Sequence, residues 1–268
     1  MRERVISALV IFAIGLPALI IGGGFYFLVI SFLLVAASWE YATMFQPMQQ
    51  RSSRLVLVGG TFVITATRAF FQDYSVLALE ILVLLALAIH LIQYERGKDS
   101  AVAGFGITVA GLVYLGWIGS YLFDLRWLEN GFWWFFLVLP CVWLADVGAY
   151  WIGSAYGKHK MSPRLSPHKS WEGYWAGVVS AILIGTFLSF AYSTWGPLDV
   201  PPWHGALLGL LIGLLTPLGD LGESMFKRHV GMKDSGNIIP GHGGAFDRID
   251  SWLWAAILGY YYIQWFLL

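Results

Sequence analysis

Residues 220–250 carry nine of the chain's 16 acidic and 16 basic side chains, although long apolar runs lie on both sides. Read as a helix, Asp220, Glu223, Ser224 and Lys227 share one face at i, i+3, i+4 and i+7. Asp247 and Asp250 stand at i, i+3 where the final apolar run begins, and Arg228, Lys233, Asp234, His242, Gly243, Gly244 and Arg248 lie between or beside the two acidic edges. Hard carboxylate oxygens suit a divalent metal, while Lys, Arg and bare glycine N–H groups suit phosphate oxygens. If Asp220 and Asp247 are brought together, the carboxylate pair demands a cation. Mg²⁺ fits because it needs few protein ligands and takes the rest from phosphate and water. An ordinary solvated loop has no need of five carboxylates, four cations and repeated glycines. With only His229 and His242 nearby and no HExxH spacing, zinc is not indicated.

A second polar cluster lies upstream. Asp146 ends an apolar run, and the segment after it is rich in Lys, His, Ser and Pro from Lys158 to Glu172. Gly153 to Lys158 is one residue short of a Walker A loop and has His159 where Ser or Thr is required, so a P-loop is rejected. What remains is a rigid basic loop. Its last residue, Ser170, is a natural N-cap for a helix whose positive N-terminus attracts phosphate. A loop that only sets membrane topology would have the same composition, and the residues alone leave the two readings open.

These clusters must be held by membrane helices. Apolar residues make up 58% of the 268 positions and charged residues 12%, with a mean hydropathy of +0.67. Such a chain is an integral membrane protein. Zero net charge argues against a nucleic-acid partner. The single Cys141 rules out an intramolecular disulfide and a thiolate metal site.

A hydrocarbon core needs roughly 20 apolar residues as helix. Nine segments meet this, at about 5–21, 25–45, 55–71, 75–94, 101–123, 131–153, 172–195, 203–221 and 251–268. The expected fold is therefore an all-α polytopic bundle of about nine spans, one membrane domain over 1–268. Residues 1–130 supply N-terminal spans, and 131–268 form a catalytic region with cytoplasmic loops 154–171 and 222–250. Fourteen of the 16 Lys and Arg fall in the N-terminal tail and one set of connections, leaving only Arg68 and Arg126 opposite. The positive-inside rule then puts the N-terminus in the cytoplasm and the C-terminus outside. The Arg2, Arg4 tail and the apolar run after it read as an uncleaved first span, since no small-residue cleavage site follows. Glu40, Glu80 and His90 read as structural polar residues within spans, and Phe132-Trp133-Trp134 and Tyr260-Tyr261-Tyr262 as lipid-facing interfacial anchors.

The run Ser224-x-x-Lys227-Arg228-x(4)-Lys233-Asp234-x-Gly236-x-x-Ile239-Pro240-x-His242-Gly243-Gly244-x-x-Asp247-Arg248-x-Asp250 resembles the signature of the phosphatidate cytidylyltransferase (CDP-diacylglycerol synthase) family. Ser166-Pro167-His168-Lys169-Ser170-Trp171-Glu172-Gly173 is similar to a second landmark, with His168 and Ser170 where Lys and Thr are usual. In Ala145-Asp146-Val147-Gly148-Ala149-Tyr150, Val147 replaces a common Thr. The resemblance implies transfer of CMP from CTP to phosphatidic acid in the inner (plasma) membrane of a bacterium, with the active site facing the cytoplasm. It implies Asp220 and Asp247 as metal ligands, catalysis by these with Lys227 and Arg248, and substrate contacts from Asp146, Lys169, Ser170, Glu223, Ser224, Arg228, Lys233, Asp234, His242, Gly243, Gly244 and Asp250. Its cofactors are Mg²⁺ and K⁺. CTP, phosphatidic acid and membrane lipids are the partners, and a homodimer is compatible with the sequence. A CDP-alcohol phosphotransferase is set aside because its DGxxAR signature is absent. A cytidylyltransferase or CTP-dependent kinase for another membrane lipid stays open, since no acyl pocket can be read from the residues.

Overall fold

The computed structural model describes residues 2–48, 51–238 and 243–268. The protein is an all-α polytopic membrane protein with one short hairpin. Its helices are α1 Arg2–Ile21, α2 Gly23–Met44, α3 Arg54–Phe70, α4 Ser75–Glu95, α5 Ala101–Gly111, α6 Tyr121–Trp127, α7 Gly131–Tyr156, α8 Trp171–Trp195, α9 Pro202–Leu215, α10 Pro217–His229 and α11 Phe246–Phe266. A π-helical stretch, Leu112–Ile118, follows α5. Each of the nine apolar segments read from the sequence is helical, and six helical stretches among the described residues are long and apolar enough to cross a membrane.

Two compact units emerge: one of residues 1–124 with 226–249, the other of 125–225 with 250–268. In the first, α2 packs most extensively on α3. Arg68, one of the two basic residues on the sparse side of the charge distribution, is held here by a partner. Its guanidinium donates to Asp124 through Nε and Nη2, the latter at 2.6 Å, and lies over the rings of Trp117 and Tyr121. A paired, ring-stacked guanidinium tolerates an apolar setting that a lone one would not.

In the second unit α8 is the central helix, packing on both α7 and α9. Small residues permit this. A side chain on Gly209 would collide with the Ala181 carbonyl, and one on Gly205 with the Gly185 carbonyl. Between membrane helices, where burial from water supplies no drive, such close backbone approach is what holds neighbours together. The aromatic clusters behave differently from the expected lipid-facing anchors. Trp134 is buried, and so is Tyr262, whose hydroxyl lies 2.8 Å from His204 Nδ1. Each polar-tipped ring is partly spent on the protein interior rather than on the lipid boundary.

Candidate active site

The basic segment between α7 and α8 is an antiparallel hairpin, β1 Lys160–Ser162 and β2 Ser166–Ser170, rather than the plain loop expected. Pro163 fixes the turn, since its φ is preset for the second position of a β-turn. At the base of the hairpin the Trp171 N–H donates to the His159 carbonyl, and the exposed His159 ring lies 2.6 Å from Glu172. Ser170 caps α8: its hydroxyl accepts from the Gly173 N–H at 3.2 Å. An unsatisfied donor of the first helical turn is thereby satisfied, and the remaining N–H dipoles stay aimed at the space before the helix.

That space is a cavity of about 630 Å³ lined by Asp146 of α7, Lys169 and Ser170 of β2, Gly173 of α8 and Asp220 of α10. Lys169 Nζ lies 2.7 Å from Asp220 Oδ2. Ser224, one turn along α10, donates to Asp220 Oδ1 at 3.3 Å, as the i, i+4 spacing requires. Asp146, Asp220, Asp250 and Lys169 interact electrostatically as one group. Asp250 itself is buried, and its Oδ1 accepts from the Ser251 N–H at 2.6 Å. Glu223, also on α10, is fully buried. Three carboxylates against one ammonium leave the cluster short of positive charge. The Asp220 side chain is still 39% exposed, so its oxygens have room for a further cation.

The first unit holds the other half of the sequence signature. Asp247, at the start of α11, has hydrogen-bond donors against both carboxylate oxygens. Lys227 Nζ donates to Oδ1 at 2.6 Å; the Ser235 N–H, the Ser235 hydroxyl and the Gly244 N–H donate to Oδ2 at 3.0, 3.0 and 2.8 Å. Gly243 makes this wrap of chain affordable, because its φ of +84° suits glycine and a side chain there would press on Asp247 Oδ2. Lys233, Asp234 and Arg248 are exposed, and Arg228 Nη1 donates to the Met232 carbonyl at 3.3 Å. His242 lies outside the described residues.

The structure thus gathers Asp146, Lys169, Ser170, Asp220, Ser224 and Asp250 in the second unit and Lys227, Gly243, Gly244 and Asp247 in the first. Among the described residues no three His, Cys, Asp or Glu side chains already form a metal cage. Mg²⁺ keeps several waters and needs only one or two carboxylates, and Asp220 fits that demand. Asp247 as it stands is saturated by N–H, O–H and ammonium donors, so it would bind a cation only by exchanging one of them.

Two residues escaped the sequence reading. Ser235 is buried and serves Asp247 twice, and Glu40, taken for a structural residue of a remote span, touches the same loop. A lone acidic residue within an apolar helix was the available signal.

Comparison with known proteins identifies the family. The model of the "Cytidylyltransferase family" matches residues 2–266. Among relatives, a phosphatidate cytidylyltransferase of Synechocystis sp. is 34% identical, covering 97% of this chain and 96% of its own. One of Haemophilus influenzae is 33% identical over the full length of both chains, and one of Bacillus subtilis is 30% identical over 99% and 98%. With the signature residues in place and the match running end to end, the chain belongs to the cytidylyltransferase family.

Proposed function

We propose that this protein transfers CMP from CTP to phosphatidic acid, giving CDP-diacylglycerol and pyrophosphate. The observation that carries the reading is the cavity of the second unit, where Lys169, the capped N-terminus of α8 and the Asp146–Asp220 carboxylates face one space. This set is suited to a polyphosphate held together with a divalent cation. The relatives that align along the whole chain are named for the same reaction.

In the transfer a phosphate oxygen of phosphatidic acid attacks the α-phosphorus of CTP, the bond from that phosphorus to the bridging oxygen breaks, and pyrophosphate leaves with the electron pair. No side chain need become covalently attached. The protein's task is to position two polyanions and offset their charge. Lys169 and the α8 N-terminus hold phosphate oxygens, Asp146 and Asp250 steady the Lys169–Asp220 pair, and Lys227, Arg228, Lys233 and Arg248 supply further cationic contacts. Asp220 and Asp247, each taken singly, are proposed as Mg²⁺ ligands, and the bound ion would neutralise triphosphate charge. K⁺ is carried as a second cofactor through the resemblance alone.

The charge distribution further supports nine spans, a cytoplasmic N-terminus, an external C-terminus and an active site facing the cytoplasm in the inner membrane. Purified protein incubated with Mg²⁺, labelled CTP and phosphatidic acid tests the function. Lipid-linked CMP and pyrophosphate should appear in equal amounts and vanish on chelation. Absence of lipid-linked CMP with active lipid and nucleotide present would refute the reading.

A further inference from the structure

Glu40 lies in α2, far in sequence from the charged signature, yet its carboxylate is 3% exposed and sits inside the signature loop. Its Oε2 accepts from the Phe246 N–H and from the Ser235 hydroxyl, both at 3.0 Å. The same hydroxyl is 3.0 Å from Asp247 Oδ2. A hydroxyl has one proton, so Glu40 and Asp247 share a single donor. Side chains on Gly236 or Gly244 would collide with the Glu40 carboxylate, which therefore stands wedged between the two glycine-bearing stretches of the loop. The next residue of α2, Tyr41, sets its ring edge-on to Phe226 at 5.4 Å and against Phe246 at 6.1 Å, so α2 grips the chain on both sides of the loop.

We propose that Glu40 is a positioning residue for the reaction: by accepting from Ser235 and Phe246 it fixes the stretches whose Ser235 and Gly244 N–H groups donate to Asp247. This assigns a function to the N-terminal helices, which the sequence left without one. It rests on the proposed cytidylyltransfer for its kinetic consequence but not for its structural one. The wedge also accounts for glycine at 236 and 244, where the loop needs room for an acid from another helix rather than backbone freedom.

The test uses the full-length protein in detergent, with Glu40→Ala, Glu40→Gln and, as control, Glu80→Gln at an outward-facing acid of α4. Amide hydrogen exchange is read at Phe246, whose acceptor is Glu40, and at Ser235 and Gly244, whose acceptor is Asp247. In Glu40→Ala all three amides should exchange at least about tenfold faster, with kcat down by at least about tenfold at saturating CTP and phosphatidate. Glu40→Gln keeps an accepting oxygen and should restore both readouts to within about threefold of wild type. Glu80→Gln should change neither.

Faster exchange confined to Phe246, with Ser235 and Gly244 unmoved, would make Glu40 a local contact and overturn the proposal. So would a Gln variant as impaired as Ala, or a Glu40→Ala enzyme with unchanged kcat. If Glu40→Ala does not fold, Glu40→Gln carries the decision through the same two readouts, and unimpaired exchange and turnover there are required. Wild-type protein inert on CTP and phosphatidate would sink the proposed reaction instead; the three amide rates would still decide whether Glu40 holds the loop.

Discussion

Lys227 Nζ lies 2.6 Å from Asp247 Oδ1, and the two side chains are only 11% and 9% exposed. A pair this enclosed matters mainly through what happens when half of it is lost. Breaking a buried ion pair by removing one partner costs about 3–5 kcal/mol. Asp247→Asn should therefore lower turnover by about 100-fold or more, and Lys227→Met should do comparable damage. The double variant should fall well short of the summed losses, because both changes disable one interaction. Additive losses in kcat/KM would show that the two side chains act separately.

At Lys169 and Asp220 the pair is more open, and the expected effects differ. Asp220→Asn should abolish turnover at low Mg²⁺ and recover partly as Mg²⁺ is raised, as for a carboxylate that helps hold the ion. Lys169→Ala should instead weaken CTP use by roughly 1.5–3 kcal/mol in kcat/KM, the range for hydrogen bonds to charged groups. A Mg²⁺ titration with unchanged midpoint in Asp220→Asn would remove Asp220 from the metal site.

Arg248 is exposed and stands next to Asp247 in the signature. If its planar fork grips a phosphate, Arg248→Lys should already be damaging, because an ammonium cannot replace two parallel donors. Arg248→Ala and Lys233→Ala should each cost roughly 1.5–3 kcal/mol in kcat/KM. Arg164→Ala, at the tip of the hairpin, should cost much less. Wild-type kinetics of Arg248→Lys at limiting CTP and at limiting phosphatidate would leave Arg248 as a topological anchor.

Ser170→Ala removes the α8 cap and should cost about 1 kcal/mol of stability, read as a lower melting temperature in detergent. Ser170→Asp should recover most of that loss, since a carboxylate also accepts from the first helical turn. The recovered protein should nonetheless use CTP poorly, because a negative charge at that helix end repels phosphate. Equal CTP use by Ser170→Asp and wild type would place the nucleotide elsewhere.

Cysteine labelling tests the proposed orientation. The native Cys141 is buried, which keeps the background low. A cysteine at Arg164 should resist an impermeant reagent applied outside intact cells, whereas one at Asp199 should react; both positions are exposed. The opposite pattern would invert the topology.

The helical layout was legible because apolar runs of membrane-spanning length leave little choice of structure. Asp220 with Ser224 was legible for a related reason: the contact is local and helix periodicity carries it. Contacts that cross long stretches of sequence were not. Glu40 meets Ser235 across 195 positions, and no periodicity in either segment reports it. The hairpin of residues 160–170 was also hidden, since three- and five-residue strands rich in Lys, Ser, Pro and His carry no apolar alternation. Residues 226–249 group with the N-terminal helices. Apolar packing of Tyr41 and Phe45 on Phe226 outweighs proximity along the chain.

The hairpin has one more implication. Lys169 reaches the cavity from a strand only five residues long, tied at one end by the cap of α8 and at the other by a proline turn. The ladder is irregular, a two-residue step from Lys160 to Ser162 facing a four-residue step from Ser166 to Ser170, and His168, Lys169 and Ser170 all line the cavity. What holds the ammonium in place is therefore its position directly before the capping serine rather than the alternation of a flat ribbon. A residue inserted between Lys169 and Ser170 should move the ammonium away from Asp220, whereas one added at the tip, beside Pro163, should leave that spacing alone.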